Sequence, residues 1–264
     1  VLRYPTYTIF DFSDVTQDRL DIFFTVDVLQ LIGFGLLFVM ICAYIAEKLK
    51  LSDTIVFTFI ALFFFVATPF FTKIYWLDYF PQPIAGYFYG GTGSLFPLFP
   101  WAGYVVLGGV LGSYLARNPM VFKTNKFSLN LALFGFALIF VSEISVFITG
   151  KYFDYYYITS SYTPDTIVFR VGFVLVLNSL VSYISQKIES IPRIIILVGR
   201  NTLLIYVVHL MILYGSAWNP GLSLLFGSSL KIAETIFCAL VMITLMGLMV
   251  ILLSKFKFRN KQLV

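Results

Sequence analysis

The chain has 264 residues, of which 59% are hydrophobic, 19% aromatic and 12% charged, and its mean hydropathy is +0.91. A soluble domain carries about 25% charged residues, so this composition excludes both a water-soluble globule and a disordered chain. The net charge of +5 does not indicate a nucleic-acid partner, because the basic residues lie in short clusters between apolar runs. The sequence predicts an integral membrane protein whose main partner is the lipid bilayer.

Seven apolar windows are long enough to cross a bilayer as helices, for which about 20 residues are needed. They are predicted at 22–46, 54–74, 97–115, 127–149, 166–185, 193–214 and 232–253. Stretches such as 31–46 and 232–253 lack the alternation of a transmembrane strand. The predicted fold class is therefore all-α: a polytopic transmembrane helical bundle of about seven spans, forming one domain over 1–264.

The orientation follows from the distribution of lysine and arginine between the two sets of loops. Eleven of these residues fall in one set and five in the other, alternating correctly across all seven predicted spans. Because cytoplasmic loops carry the excess of basic residues, the C-terminus is predicted to be cytoplasmic and the N-terminus outside. The expected location is the inner, cytoplasmic membrane of the cell.

The start of the chain is unusual for this topology. The chain begins with Val1, and residues 1–21 are polar and do not form a signal peptide. A protein that starts in the cytoplasm would need an odd number of further spans upstream. We therefore expect this chain to be the C-terminal part of a longer protein, lacking one or three helices. The alternative is a seven-helix protein with its N-terminus outside.

Two outer loops, 75–96 and 151–165, are rich in tyrosine, phenylalanine, glycine and proline. One interpretation is the belt of aromatic rings at the level of the lipid headgroups. The other is a platform on which sugar rings stack. The length and glycine content of 75–96 favour a functional loop over a simple connection.

Ionisable groups within membrane spans are costly and mark either a site or a satisfied pair. The chain has five within the predicted spans: Asp27, Glu143, Arg170, Arg200 and His209. A rise of about 1.5 Å per residue puts all of them except Arg200 in the outer half of the membrane, at a level similar to that of Trp101. This layer predicts a polar cavity that faces outward, with Arg200 nearer the cytoplasm.

Each of these residues also has a purely structural interpretation. Asp27 and Arg170 form a buried ion pair in one alternative, and Glu143 bonds a neighbouring serine or tyrosine in another. Gln30, one turn from Asp27, and Asn178 allow the same interpretation. A single histidine such as His209 suits proton transfer, although in isolation a structural role is the commoner one.

Metal and redox chemistry have no support in the sequence. Cys42 and Cys238 both lie in apolar runs, where cysteine behaves as a small hydrophobic residue. Neither a disulfide framework nor a metal site is expected. The motifs of soluble nucleotide-binding proteins, serine hydrolases and zinc proteases are also missing from the sequence.

Three segments of the sequence stand out as motifs. Residues 96–104 read FPLFPWAGY and are followed by glycines at 108, 109 and 112, residues 199–209 read GRNTLLIYVVH, and residues 27–33 read DVLQLIG. They resemble, in this order, a helix entry, a late helix and a further segment of a family of bacterial membrane acyltransferases related to heparan-alpha-glucosaminide N-acetyltransferase. The first motif is the most specific of the three.

The resemblance implies an enzyme that takes an acyl group, usually acetyl, from cytoplasmic acyl-CoA to a sugar hydroxyl or amine across the membrane. Such proteins typically have ten or eleven helices, and their usual catalytic histidine lies near the first. Seven spans plus three missing ones would give ten with both ends inside, in agreement with the charge-based topology. Acetyl-CoA or another acyl-CoA would be the co-substrate, with no metal, and a glycan or amino sugar the acceptor.

The residues suit this chemistry in distinct roles. Acyl transfer needs a base and oxyanion donors. We expect His209 and Asp27 to assist proton transfer, and the acceptor to be held by Arg170, Trp101, Gln30 and Glu143. The CoA phosphates would be attracted by Arg200, Arg193 and Asn201, since arginine suits phosphate.

The main alternative is a transporter or flippase for a glycan or lipid-linked substrate, using the same outer polar cavity. Transporters often show inverted repeats, and no convincing repeat is visible here. A structural subunit of an envelope-assembly complex is a third alternative, with no positive feature in the sequence. The sequence specifies neither the acceptor sugar nor the oligomeric state, so a homo-oligomer stays open.

Overall fold

The computed structural model describes residues 17–149, 162–188, 190–216, 219–227 and 229–261. The elements in chain order are α1 (Gln17–Phe24), α2 (Val28–Leu49), α3 (Asp53–Phe71), α4 (Gln82–Ala85), α5 (Leu98–Arg117), α6 (Asn125–Thr149), α7 (Pro164–Lys187), α8 (Arg193–Arg200), α9 (Thr202–Tyr214), β1 (Gly215–Ser216), β2 (Asn219–Pro220), α10 (Leu222–Phe226) and α11 (Ile232–Lys261). Single 3₁₀ turns lie at Trp76–Asp78, Gly90–Thr92 and Val121–Lys123. The prediction of an all-α, multi-pass helical bundle is confirmed, with β1 and β2 forming only a two-residue pairing.

Six helices of the described chain are long and apolar enough to cross a membrane: α2, α3, α5, α6, α7 and α11. Leucine, isoleucine and phenylalanine side chains are widely exposed along them, as expected for surfaces that contact lipid tails. The first span begins at Val28, so the predicted boundary at 22 is wrong. Residues 25–27 are not helical and separate α1 from α2.

The predicted sixth span, 193–214, is not one straight helix. Its residues form α8 and α9, whose axes differ by 72° across a break at Asn201. The predicted depths of Arg200 and His209 assumed a constant rise along a straight helix; that assumption is wrong for this bent stretch, and the depths themselves stay predictions. The described residues therefore contain six candidate spans, or seven if α8 and α9 together cross the membrane as one bent span.

The chain divides into two compact units, which are described separately. The first unit comprises 24–189, and the second comprises 1–23 and 190–264. In the first unit, α3 packs along α5, α2 packs against both, and α6 pairs with α7. Its core is built from apolar residues of α2, α3 and α5, among them Phe57, Phe64, Leu98, Ala102 and Val106.

Helices α6 and α7 approach closely through small residues in an antiparallel pair. The Ser128 hydroxyl donates to the Ser179 carbonyl at 3.1 Å, and the Ser179 hydroxyl donates to the Ser128 carbonyl at 2.7 Å. Near the other end, the Ser142 hydroxyl donates to the Asp165 carbonyl at 2.8 Å. Apolar side chains gain little by leaving lipid for a helix interface, so close packing and interhelical hydrogen bonds hold such a pair together.

Candidate functional site

The segment that leads into α5 is held in place by hydrogen bonds to Val26 and Tyr87. Val26 receives hydrogen bonds at its carbonyl from the amides of Leu95 and Phe96, at 3.1 and 3.3 Å. Its own amide donates to the buried Ser94 hydroxyl at 3.0 Å. The Leu98 amide donates to the Tyr87 carbonyl at 2.8 Å. These bonds fix the direction in which the chain enters α5.

The first turns of α5 carry Trp101 and Tyr104. Phe99 has non-helical backbone angles, and the regular helix follows it, as expected where prolines flank a helix start. The Trp101 ring contacts Phe96 edge-on, with centroids 4.9 Å apart, and Tyr104, with centroids 5.8 Å apart. Trp101 is therefore held within a group of aromatic rings at the start of α5.

Arg170 of α7 completes this group. Its guanidinium carbon lies 4.9 Å from the centroid of the Trp101 ring, which is cation–π geometry. The guanidinium also interacts electrostatically with the Tyr104 hydroxyl. We refer to Trp101, Tyr104 and Arg170 as the Trp–Arg cluster. It joins α5 to α7, which belong to the two separately packed parts of the first unit.

Two polar atoms of the Trp–Arg cluster are buried. Nε1 of Trp101 has no hydrogen-bond partner among the described residues, and the Tyr104 hydroxyl has none apart from its interaction with the Arg170 guanidinium. Most buried polar groups in proteins are hydrogen-bonded, and leaving one unsatisfied costs about 1–3 kcal/mol. The unsatisfied indole N–H beside a guanidinium therefore marks the Trp–Arg cluster as a candidate binding site in the first unit.

Tyr162 lies just before α7, close enough to Arg170 for the guanidinium charge to act on its hydroxyl. Its hydroxyl would be 2.5 Å from a Cβ at Gly90, so a side chain at that position would make the tyrosine hydroxyl shift. Burial raises the pKa of the Tyr162 hydroxyl, and the Arg170 charge partly opposes that rise. The phenol therefore stays neutral at physiological pH.

Asp27 and Gln30 form a capping box at the start of α2. The Asp27 carboxylate accepts from the Val28 amide at 2.7 Å, and the Gln30 side-chain oxygen accepts from the Asp27 amide at 3.1 Å. Asp27 therefore lies at the end of the span and not within it, as the predicted window 22–46 implied, because the helix begins one residue later. The capping interaction is a structural role for both residues, and their predicted catalytic and binding roles stay predictions.

Glu143 and Asn178 do not extend the Trp–Arg cluster. Glu143 is exposed on α6, next to the buried Ser142, and no hydrogen bond joins it to another residue of the described chain. The predicted bond of Glu143 to a serine or tyrosine is therefore not formed within these residues. The Asn178 amide donates to the Val174 carbonyl of its own helix at 2.8 Å and not to a neighbouring helix.

The remaining predicted site residues belong to the second unit. His209 is on α9, and its Nδ1 lies 2.9 Å from the Ile205 carbonyl oxygen. Since a carbonyl oxygen only accepts, the neutral ring carries its proton on Nδ1 and keeps a lone pair on Nε2. The ring also contacts Tyr206 edge-on, with centroids 5.4 Å apart. In this tautomer Nε2 is the ring nitrogen that can accept a proton.

Asn201 links α8 to α9. Its side-chain amide donates to the Leu197 carbonyl at 2.8 Å, which caps the end of α8, and its carbonyl accepts from the Ile205 amide at 3.0 Å. Arg193 and Arg200 are the first and last residues of α8, and both are exposed. Seven residues apart on a helix, they share one face. They thus form an accessible basic face.

The loop at 75–96 is held together by contacts among its own aromatic residues. The Trp76 ring stacks on Phe71 and Phe88, with centroids 5.3 and 4.6 Å away, and its Nε1 donates to the Phe71 carbonyl at 2.8 Å. Tyr75 and Tyr79 are left exposed, so their faces suit either predicted role, headgroup contact or sugar stacking. Residues 151–161 of the second aromatic loop lie outside the described residues.

Sequence reasoning missed Tyr104 and Tyr162 as site residues. Tyr104 was visible as part of the FPLFPWAGY motif and lies one helical turn from Trp101, which is a usable signal. Tyr162 had no comparable signal, because its position beside Gly90 depends on a long-range contact.

The fold and the apolar spans define a multi-pass helical membrane protein. Comparisons of the chain with protein-family models, with curated proteins and with solved structures find no match.

Proposed function

We propose that the protein is an integral membrane acyltransferase. It moves an acyl group, acetyl by preference, from cytoplasmic acyl-CoA to a sugar hydroxyl or amine on the outer side of the cytoplasmic membrane. The Trp–Arg cluster carries the proposal, because the unsatisfied Nε1 of Trp101 and the buried Tyr104 hydroxyl lie beside a guanidinium near the entrance of a membrane span, which supports a polar binding site there. The motifs at 96–104 and 199–209 supply the reaction type.

In the proposed reaction the acceptor is bound on the outer side. Arg170 and Trp101 contact it, with Gln30 and Glu143 as further candidate contacts. The acceptor oxygen or nitrogen gives its proton to a base and attacks the thioester carbonyl carbon. The carbon–sulfur bond then breaks, and the CoA thiolate takes up a proton. Nε2 of His209 is the candidate base because it keeps its lone pair, and Asp27 is the second candidate.

The donor is bound from the cytoplasm in this proposal. The exposed basic face of α8, formed by Arg193 and Arg200, attracts the phosphates of CoA. The side chain of Asn201 already caps α8, so we assign it to holding this basic face in position rather than to binding CoA directly. The C-terminus is cytoplasmic in this arrangement.

The test uses sealed inside-out membrane vesicles from cells that make the complete protein. Radiolabelled acetyl-CoA is added outside, where the cytoplasmic face is exposed, and label is measured in the glycan enclosed within the vesicles. We expect protein-dependent label in that glycan. Matched vesicles from cells that lack the protein provide the control, and equal label in both would refute the proposal.

A specific observation also favours a second candidate, a glycan transporter or flippase. Transporters often build their substrate sites from broken helices, and α8 and α9 meet at 72°. In the same vesicles, a transporter would give protein-dependent movement of glycan without any transfer of label. The two readouts separate the candidates within one preparation.

A further inference from the structure

Three exposed lysines, which we call the lysine cluster, lie at one end of the α6–α7 pair. Lys123 ends the 3₁₀ turn before α6, Lys126 is in the first turn of α6, and Lys187 is the last residue of α7. The sequence has no aspartate or glutamate between 119 and 142 or between 166 and 188, so neither helix brings a carboxylate to this end. Glu189, outside the described residues, is a single acid against the three lysines. The lysine cluster is therefore a local excess of positive charge.

The pairing of α6 with α7 brings the lysine cluster together. The reciprocal hydrogen bonds of Ser128 and Ser179 fix the register of the two antiparallel helices. In this register Lys187 lies about 9 Å beyond the level of Lys126 along the pair, because each residue of a helix advances about 1.5 Å. Lysine side chains are long and flexible, so the two ammonium groups can reach one bound anion.

The turn that carries Lys123 is fixed against α7 as well. The Ser182 hydroxyl donates to the Phe122 carbonyl. The Thr124 hydroxyl accepts from the Phe127 amide at 3.3 Å, which caps the start of α6. Lys123 therefore lies beside the stretch of α7 that leads to its last residue.

The ammonium group of Lys187 is positioned by Tyr183, one turn earlier on α7. Nζ lies 4.8 Å from the centroid of the tyrosine ring and also interacts with the tyrosine hydroxyl. An ammonium group has three donors, so this contact leaves N–H groups for an anion. A tyrosine beside a lysine near a helix end is typical of the membrane–water interface, where lipid headgroups lie.

An exposed apolar stripe leads along α7 to Lys187. Its members are Leu177, Leu180 and Ile184, and their spacing puts them on one face of the helix with Lys187. From Leu177 to Lys187 the helix is about 15 Å long, which is about half the thickness of a bilayer core. A molecule bound at Lys187 is thus flanked by a surface that suits acyl chains, and a soluble phosphate would leave that surface uncovered.

We propose that the lysine cluster binds the phosphate headgroup of an anionic phospholipid, whose acyl chains lie along the apolar stripe of α7. Phosphate oxygens accept the hydrogen bonds that the ammonium groups offer, and the attraction increases with each lysine near the anionic group. A zwitterionic lipid is disfavoured, because its own cationic group is repelled by the lysines. The proposal is independent of acyl transfer and applies to the leaflet on the predicted cytoplasmic side.

The test is native mass spectrometry of the complete protein released from detergent micelles and titrated with phosphatidylglycerol or phosphatidylcholine. The two lipids carry the same acyl chains, so a difference in affinity reports the headgroup. We expect the first phosphatidylglycerol to bind at least about tenfold more tightly than the first phosphatidylcholine. An excess of inorganic phosphate at matched ionic strength should not displace it, because phosphate alone makes no contact with the apolar stripe. Equal affinity of the two lipids, or displacement by phosphate, overturns the proposal.

Variants of the lysine cluster then locate the lipid. Lys123→Gln, Lys126→Gln and Lys187→Gln are each expected to weaken phosphatidylglycerol binding about fivefold, and the triple variant should lose the preference over phosphatidylcholine. Lys73→Gln is the matched control, because Lys73 is an exposed lysine that follows the end of α3, at the opposite end of the first unit. Its affinity for phosphatidylglycerol should be unchanged.

A general attraction of basic residues to anionic lipid gives a different pattern. Lys73→Gln would then weaken binding as much as each variant of the lysine cluster, and that result would overturn the proposal. All four lysines are exposed, so the substitutions should leave the thermal midpoint in phosphatidylcholine unchanged. A folded triple variant that still prefers phosphatidylglycerol would also overturn the proposal.

Discussion

Gly135 of α6 and Gly172 of α7 face each other so closely that neither has room for a side chain. A Cβ at Gly135 would lie 2.8 Å from the Gly172 carbonyl oxygen, and one at Gly172 would lie 2.7 Å from the Gly135 carbonyl oxygen. The serine contacts described above lie seven residues away on either side. The backbone contact and the hydrogen bonds thus recur every seven residues along this antiparallel pair.

This contact predicts a large effect of adding one methyl group. Gly135→Ala should destabilise the first unit by about 1–3 kcal/mol, because the backbone of α7 must move to accept the new atom. Unfolding in a titration of denaturing detergent measures the change. Gly108→Ala on α5 is the matched control, since no heavy atom lies within 4 Å of its Cβ position. Equal loss of stability in both variants would contradict the close contact.

The capping box separates two roles of Asp27. Asp27→Asn keeps a good helix cap and removes the charge, whereas Asp27→Ala removes both and should cost about 1 kcal/mol of stability. If Asp27 assists proton transfer, Asp27→Asn lowers acetyl transfer with unchanged stability. Acetyl transfer at the wild-type rate in Asp27→Asn would leave the carboxylate with its capping role alone.

His209 is expected to act through Nε2. His209→Ala in the complete protein should reduce the rate of acetyl transfer by about 100-fold or more, as is usual for loss of a general base. Tyr214→Phe, which changes an exposed tyrosine at the end of the same helix, is the control and should have little effect. Full activity in His209→Ala would assign His209 a structural role.

A variant at Arg200 tests whether acyl-CoA binds at the basic face of α8. Arg200→Ala should raise the apparent KM for acyl-CoA with little change in kcat, since a phosphate contact far from the reacting atoms contributes equally to the ground state and the transition state. Lys231→Ala, an exposed lysine of the same unit, is the control. An unchanged KM would remove Arg200 from this role.

The predicted orientation has a direct chemical test. In a variant lacking Cys42 and Cys238, Tyr79→Cys should react with a membrane-impermeant maleimide added to intact cells, whereas Met120→Cys should not. Both positions are highly exposed, at 71% and 78%, so burial does not explain a difference. Reaction of Met120→Cys instead of Tyr79→Cys would reverse the topology inferred from the basic loops.

The length of the apolar runs was enough to predict most of the spans, because an apolar run of about 20 residues has few alternatives in a bilayer. The break at Asn201 was not predictable in the same way. The stretch 193–214 contains no proline, and the Asn201 side chain that caps the end of α8 is an ordinary polar residue in an apolar run. The start of α2 was misplaced for a similar reason, since the capping box at Asp27 lies inside an apolar window.

The candidate site was partly predictable. Depth along each span placed Trp101 and Arg170 at one level, and the structure brings their side chains together. Depth alone says nothing about which helices are neighbours. The contact between Tyr162 and Gly90 and the pairing of α6 with α7 therefore required the fold.

The proposal of acyl transfer is tested most directly by the chemical state of the cell-envelope glycans. Mass spectrometry would compare glycans from cells with the protein, cells without it, and cells with the Arg170→Gln variant. The account predicts one or more acetylated species that are present only with the wild-type protein and strongly reduced with the variant. Identical acetylation in all three strains would contradict it.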